Sequence, residues 1–164
     1  RQYLYHAKAY SPAIGDVVAT SDQEAGTVDI VFIMADGAKP GPEMINGLKG
    51  YLQDKTIRPM TDLVNVSAPE EVPYTIGLTY YINRSDSAKA VTIQAAVAQA
   101  VADYQTWQRA IGRDINPSKL VAMVMEAGAK RVTVTAPTYT AVAATKVSAL
   151  QGEATVTYGG LEDD

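Results

Sequence analysis

The sequence predicts an α+β fold made of two small subdomains, each with a mixed or antiparallel sheet covered by helices. The prediction rests on alternating apolar residues typical of strands, on segments with apolar residues at helical spacing, and on Pro and Gly residues between them. Of the 164 residues, 47% are hydrophobic, which suffices to build a core. We expect the first subdomain to span residues 1–69 and the second residues 70–164.

The first three elements are predicted strands. The segment 3–10 precedes a Ser-Pro turn, and segments 15–20 and 27–35 follow it, separated by a polar turn that closes at Gly26. In segment 27–35 one face is fully apolar and the other is nearly so. We therefore expect this strand to be central in its sheet.

The next element is a predicted helix that begins at Pro42 and runs to about Lys55. Proline suits the first helical turn, because the N–H that it lacks would have no partner there. The expected apolar stripe consists of Met44, Ile45, Leu48, Tyr51 and Leu52. Pro59 prevents a longer helix, and a strand is predicted to begin at Leu63 and to end before Pro69.

The second subdomain is predicted to open with one strand over residues 72–83. The turn at residues 84–87 then leads into the longest helix, from about Ala88 to Ile111. Its expected buried side is formed by Ile93, Val97, Ala100, Val101, Tyr104, Trp107 and Ile111. We expect this helix to pack on the sheet.

A shorter helix is predicted between an Asn116 cap and a terminating Gly128. Its expected buried residues are Leu120, Val121, Val124 and Met125. A strand at 132–135 follows, and residues 146–158 predict a further strand pair around a Gln-Gly turn. We expect the acidic tail at 162–164 to fray.

Composition excludes several classes of function. With Lys+Arg 14 against Asp+Glu 18, the net charge of -4 predicts no nucleic-acid partner. The absence of cysteine excludes disulfides, thiolate zinc sites and Cys nucleophiles. The apolar run at 28–35 is too short to span a bilayer, so we expect no membrane insertion. Because the chain begins at Arg1 without a signal-peptide pattern, we expect it to be a piece of a longer protein.

Residue types suited to catalysis do not converge in the sequence. His6 is the only histidine and lies in a predicted strand, where we expect a structural role. Glu70 and Glu71 are neighbours that point to opposite faces of a strand, so they are not expected to share a metal ion. The glycines between Gly37 and Gly50 lack the Lys-Ser/Thr of a phosphate loop. We predict no catalytic residue, no cofactor and no metal site.

Two pairs of opposite charges lie near predicted turns and are candidates for subunit contacts. Arg58 with Asp62 and Arg113 with Asp114 could be turn-stabilising ion pairs, but Arg is also favoured at protein interfaces because its planar fork pairs with carboxylates. We predict these four residues and Tyr74 as interface residues.

Six of the ten tyrosines lie in predicted strands, namely Tyr3, Tyr5, Tyr10, Tyr74, Tyr80 and Tyr81. Neighbours such as Tyr80 and Tyr81 point to opposite faces, so one of each pair is left for solvent or for another subunit. Ordinary sheet packing and a subunit contact both remain open for these rings.

The order and separation of several shape motifs carry a family resemblance. The motifs are Arg58-Pro59, Thr61-Asp62, the strand 64–69, Val72-Pro73-Tyr74, Ile111-Gly112-Arg113-Asp114-Ile115, the Leu120 helix, Gly128 and the strand 131–137. From about His6 to Tyr158 the chain resembles the baseplate J family, the wedge proteins of contractile phage tails and related injection machines. The matching part is similar to the central and C-terminal regions of such proteins.

The resemblance implies a non-enzymatic structural subunit with no catalytic residues to carry over. It implies a subunit that pairs with copies of itself, as a homodimer or a ring, and with other baseplate wedge proteins. The implied location is the virion tail baseplate, assembled in the host cytoplasm.

Three hypotheses for function follow. The leading one is a structural assembly protein that presents rigid surfaces to its neighbours. The alternative is a small-ligand or carbohydrate-binding module that uses the sheet tyrosines as stacking platforms. The third is a hydrolase with an oxygen-ligated metal ion.

Overall fold

The structure is a computed structural model that describes residues 2–54 and 63–164, and it confirms the α+β class. By its internal contacts the chain divides into two compact units. Unit 1 comprises Arg1–Glu70 with Ala144–Lys146, and unit 2 comprises Glu71–Ala143 with Val147–Asp164. The division into subdomains at 1–69 and 70–164 stays a prediction. The sequence did not indicate that residues 144–146 belong to unit 1.

Unit 1 contains a three-stranded sheet with two helices. Its elements are α1 (Gln2–Tyr10), β1 (Ile14–Asp22), β2 (Thr27–Met34), α2 (Pro42–Leu52) and β3 (Leu63–Ser67). The strand order is β1-β2-β3, with β1 antiparallel and β3 parallel to β2. The prediction that β2 is the central strand is therefore confirmed. Helix α1 packs on β1 and helix α2 packs on β3.

The prediction of a strand over residues 3–10 is wrong, because this segment is helix α1. Tyr3 and Ala7, which are one helical turn apart, are both buried in the core of unit 1. The tyrosines favoured a strand by propensity, and packing of this one face overrode that preference. His6 is therefore a helix residue, and its ring lies edge-on to the Tyr5 ring at 5.2 Å between centroids.

Helix α2 begins at Pro42 as predicted and ends at Leu52, before the expected Lys55. Leu48 and Leu52 are fully buried in the core of unit 1. A Cβ atom at Gly47 would collide with the Tyr10 hydroxyl group, so this glycine allows α1 and α2 to approach each other.

Unit 2 contains a three-stranded sheet, a two-stranded sheet and two helices. Its elements are β4 (Glu71–Tyr74), β5 (Gly77–Asn83), a 3₁₀ turn (Arg84–Lys89), α3 (Ala90–Gln108), α4 (Pro117–Glu126), β6 (Arg131–Ala136), β7 (Val147–Leu150) and β8 (Thr155–Glu162). The larger sheet has the order β6-β5-β8, with β6 antiparallel and β8 parallel to β5. The smaller sheet pairs β4 and β7 in parallel.

Two predictions about these strands are wrong. The segment 72–83 is not one strand but two, β4 and β5, which belong to different sheets. The strands β7 and β8 exist near their predicted places, but they pair with β4 and β5 and not with each other. Alternation in a sequence indicates an extended segment and does not identify its partner.

Helices α3 and α4 cover one face of the larger sheet, where Leu78, Tyr80 and Ile82 point into the core. The predicted buried residues of α3 are confirmed from Ile93 to Tyr104. Helix α3 ends at Gln108 rather than Ile111, and both Trp107 and Ile111 are only partly buried. On α4, Leu120 and Val124 are buried as predicted, whereas Val121 is partly exposed and Met125 is 40% exposed.

The fully buried side chain of Gln108 organises the end of α3. Its Oε1 accepts hydrogen bonds from the Tyr104 hydroxyl at 2.8 Å and from the Asn116 N–H at 3.0 Å. Its Nε2 donates to the Asp114 carbonyl at 2.9 Å, and its own carbonyl accepts from the Ser148 hydroxyl at 2.9 Å. The residue thus fixes the loop 109–116 and strand β7 to one helix end.

We expect Gln108→Leu to lower the free energy of unfolding by at least about 2 kcal/mol, because it leaves buried polar groups without partners. Urea denaturation measures the change. The matched control is Gln99→Leu on the same helix, where the amide is exposed and donates a hydrogen bond to Asp103. The control should cost less than about 0.5 kcal/mol. Equal effects of the two substitutions would contradict this role for Gln108.

Candidate interface surfaces

Of the five predicted interface residues, Arg58 and Asp62 lie outside the residues that the structure describes. Their interface role stays a prediction.

Tyr74 lies in the core of unit 2, with only 7% of its surface exposed. Its ring meets the Tyr104 ring edge-on, with 6.4 Å between the centroids. Burial raises the pKa of the Tyr74 hydroxyl to about 12, although the positive charge of Arg109 acts to lower it. The structure gives the ring a packing role, and its contact with a partner stays a prediction.

Arg113 lies in the loop between α3 and α4 and stacks on Trp107. Its guanidinium carbon is 4.2 Å from the centre of the Trp107 ring system, and its Nη1 donates a hydrogen bond to the Trp107 carbonyl. The ammonium group of Lys119, on the first turn of α4, is 5.3 Å from the same ring. Two cations therefore flank one partly exposed aromatic ring. We call Trp107, Arg113 and Lys119 the cationic cluster.

Asp114 does not pair with its neighbour Arg113, although their opposite charges suggested an ion pair. One carboxylate oxygen accepts a hydrogen bond from the Tyr139 hydroxyl at 2.5 Å, and the other accepts from the Val142 N–H at 2.9 Å. These bonds, the Tyr139 bond first, hold the pKa of the Asp114 carboxyl below its usual range. Tyr139 is 62% exposed, so this corner also presents an aromatic side chain to solvent.

The second surface is the face of the larger unit 2 sheet opposite the helices. Thr133, Thr79 and Thr157 lie side by side across strands β6, β5 and β8. The same register places Tyr81 beside Arg131 of the β6 edge. This face was not predicted as a surface of interest, although its outward residues alternate with the core residues along each strand.

Arg131 spans this sheet face from one edge strand to the other. Its guanidinium carbon lies 3.8 Å from the Tyr81 ring centre, and its Nε donates to the Glu162 carboxylate of β8 at 2.7 Å. The ion pair lowers the pKa of Glu162 and raises the pKa of Arg131. A Cβ atom at Gly159 would overlap the Tyr81 ring, so the ring packs directly against the β8 backbone.

The prediction that the acidic tail at 162–164 frays is wrong. Glu162 belongs to β8, and Asp163 forms an ion pair with Arg84 at 2.8 Å. The Lys130 ammonium group also donates to the Asp163 carbonyl at 2.6 Å. The end of the chain is therefore held to β6 and to the 3₁₀ turn. The acidic run alone could not reveal which cations the fold would bring beside it.

The tyrosines do not form the stacking platform that a carbohydrate-binding module would use. Tyr3, Tyr5 and Tyr10 lie on helix α1 and not on a sheet. Tyr80 is buried and its ring packs against that of Tyr158, with 5.4 Å between the centroids. Tyr81 lies under Arg131, so its ring is already in contact with a side chain.

The other charged residues considered from the sequence form ion pairs. Glu70 pairs with Lys146 at 3.0 Å, and Glu71 pairs with Arg109 at 2.8 Å. In residues 2–54 and 63–164, no group of three or more His, Cys, Asp or Glu side chains is arranged to hold a metal ion. Over the same residues, no helix has the length and apolar character that crossing a membrane requires.

Comparisons with known proteins match both parts of the chain. The family model described as "Baseplate J-like central domain" matches residues 1–68, and the one described as "Baseplate J-like protein C-terminal domain" matches residues 75–158. A relative, Baseplate protein J of Escherichia phage P2, is 27% identical over 135 residues. The match covers 82% of this chain and 44% of that protein. The chain thus spans less than half the length of this relative.

We expect Gly159→Ala to lower the free energy of unfolding by about 1–3 kcal/mol, because the added methyl group overlaps the Tyr81 ring. Urea denaturation measures the loss. Thr157→Ala, an exposed position on the same strand, is the control and should cost less than about 1 kcal/mol. A Gly159→Ala variant as stable as the wild type would show that Tyr81 is free to move away.

We expect Tyr139→Phe to raise the pKa of Asp114, because the carboxylate loses its strongest hydrogen bond. A depressed pKa stabilises the folded chain at neutral pH, and this contribution disappears as the pH falls through the folded-state pKa. The variant should therefore be less stable than the wild type at neutral pH and equally stable in strong acid.

Carbon-13 NMR titration of the Asp carboxyl groups measures the pKa directly. Tyr5→Phe, at an exposed tyrosine on helix α1, is the control and should leave the Asp114 titration unchanged. An Asp114 pKa that is the same in Tyr139→Phe and in the wild type would contradict the role of this bond.

Proposed function

The chain belongs to the baseplate J-like family, as its resemblance predicted, and we propose that it is a structural subunit of the baseplate wedge of a contractile phage or prophage tail. The observation that carries this proposal is the match of two baseplate J-like models in order along the chain. The chain passes from unit 1 to unit 2 at Glu70 and Glu71, between the two matched ranges.

The proposed location is the baseplate of the virion tail, with assembly in the host cytoplasm. The name of the phage P2 relative supports the location, since that protein is a baseplate protein. The proposed partners are other baseplate wedge proteins and further copies of this chain, which associate as a homodimer or a ring. Repeated copies joined by one kind of contact form closed symmetric assemblies economically.

The surfaces of unit 2 support a role in assembly. Arg, Trp and Tyr are the residue types enriched where protein contacts carry most of their binding energy. The corner around Arg113 and Asp114 gathers all three types, with Trp107 under the guanidinium group and Tyr139 bonded to the carboxylate. Hydrogen bonds to the backbone hold both charged residues in place, which lowers the entropy cost of binding a partner.

We propose that this role involves no catalysis. Several charged side chains of unit 2 form ion pairs or hydrogen bonds that hold its own strands and loops together. Arg131 and Glu162 hold the two edge strands together, and Asp114 holds the loop at Val142. The lone histidine, His6, packs against a tyrosine ring on helix α1.

Electron microscopy of the virions tests the proposal. We expect antibodies against this chain, labelled with gold, to decorate the tail baseplate. Deletion of the gene should yield particles without a baseplate, and a plasmid copy of the wild-type gene should restore it. Normal contractile tails in the deletion strain, with no labelled baseplate in the parent strain, would contradict the proposed function.

A further inference from the structure

Within the cationic cluster, Arg113 differs from the other arginines of unit 2 in its ion pairing. Among the residues that the structure describes, Arg84, Arg109 and Arg131 each form an ion pair with a carboxylate. Arg113 forms none within this part of the chain, and its nearest acidic neighbour in sequence, Asp114, bonds to Tyr139 and Val142 instead. The Arg113 charge is therefore available to a partner.

Lys119 adds a second positive charge beside the Trp107 ring, and the N-terminal end of helix α4 adds a partial positive charge. Helix α4 begins at Pro117 with an Asn116 cap and has no acidic residue in its first turn. The N-terminal end of a helix carries a partial positive charge, which usually attracts Asp or Glu to this turn. Here the position holds Lys119, so Arg113, Lys119 and the helix end together place positive charge next to Trp107. Within residues 2–54 and 63–164, neither side chain forms an ion pair.

The complementary charge lies in unit 1, on the hairpin of β1 and β2. Between Lys8 and Lys39 the sequence has no Lys or Arg residue. The five acidic residues in this stretch are Asp16, Asp22, Glu24, Asp29 and Asp36. All but Asp16 are exposed. A chain with a balanced overall composition thus presents one hairpin of purely negative charge.

The tip of this hairpin is ordered. The Asp22 carboxylate accepts hydrogen bonds from the N–H groups of Glu24 and Ala25, both at 3.1 Å. These bonds fix the turn and hold Glu24 at its exposed end. A fixed turn loses little entropy when it binds, which favours it as a docking element.

We propose that the acidic hairpin of one copy of this chain docks on the cationic cluster of the next copy. The carboxylate of Glu24 approaches Arg113 and Lys119, with the Trp107 ring as the apolar floor. Because the two surfaces are different, the contact is head-to-tail, and its repetition produces a ring or an extended array. This inference rests on the proposed assembly function and names the surfaces through which copies associate.

The test exchanges the charges at the contact. Lys119→Glu reverses one of the two side-chain charges of the cluster and leaves the fold intact, because an acidic residue is favourable in the first turn of α4. Glu24→Lys reverses the hairpin tip and keeps the Asp22 bonds that form the turn. Sedimentation equilibrium of the purified chain measures the dissociation constant for self-association. We expect each variant to raise it about 5-fold, the upper range for one exposed ion pair.

Mixing the two variants tests whether residues 24 and 119 contact each other. In an equimolar mixture, the cluster with Lys119→Glu meets the hairpin with Glu24→Lys, and the unchanged cluster meets the unchanged hairpin. We therefore expect the mixture, and also the double variant, to associate more tightly than either single variant alone. The controls are Lys89→Glu and Glu153→Lys, which make the same charge changes at exposed positions elsewhere in unit 2 and should have no effect.

The outcomes separate this inference from the proposed function. A wild-type chain that stays monomeric at every concentration overturns the self-contact. Self-association that neither variant weakens, or that the mixture does not restore, also overturns it. Binding of another purified baseplate protein to the wild type but not to Lys119→Glu, without self-association, assigns the cluster to that protein instead. In each case, gold labelling of the baseplate would still support the proposed function.

Discussion

The buried amide of Gln108 is the constraint on which the surface of unit 2 depends. Its side chain bonds to Asp114 and Asn116, at the end of the loop that leads into α4, and its carbonyl accepts from Ser148 of β7. A buried amide with all its partners tolerates few alternative arrangements, because any change leaves a polar group unpaired. The position of Arg113 and Asp114 therefore follows from the interior of the unit and not from the loop itself.

The buried hydrogen bonds of Gln108 determine how side chains are arranged on the surface of unit 2. The fixed loop places Arg113 over Trp107 and directs Asp114 to Tyr139 and Val142. The isolated bridge between Ile115 and Thr140 joins this loop through its backbone to the loop 137–146, which contains Tyr139 and Val142. A rigid corner with aromatic, basic and acidic side chains results, and such a surface binds a partner with little loss of conformational entropy.

Much of the fold could be predicted from the sequence, because capping residues and apolar periodicity act locally. Pro42, Asn116 and Gly128 bound their helices as expected, and the alternation in β2 identified a central strand. Long-range pairing was not predictable, since nothing local distinguishes a β7–β8 hairpin from the parallel partners that these strands have. Helix α1 was missed because tertiary packing of Tyr3 and Ala7 outweighed the strand propensity of the tyrosines.

The candidate surfaces were predicted in part: Arg113 and Asp114 were named, but the bond of Asp114 to Tyr139 joins segments 25 residues apart. The stacking of Arg113 on Trp107 depends on where α3 ends, which the sequence placed three residues too late. The central claim is that this chain acts by docking onto protein neighbours. A cryo-electron-microscopy reconstruction of the assembled tail baseplate tests it most directly. We expect density for this chain in the baseplate, with Trp107 and Arg113 covered by a neighbouring subunit. A reconstruction in which that corner faces solvent in every copy would contradict it.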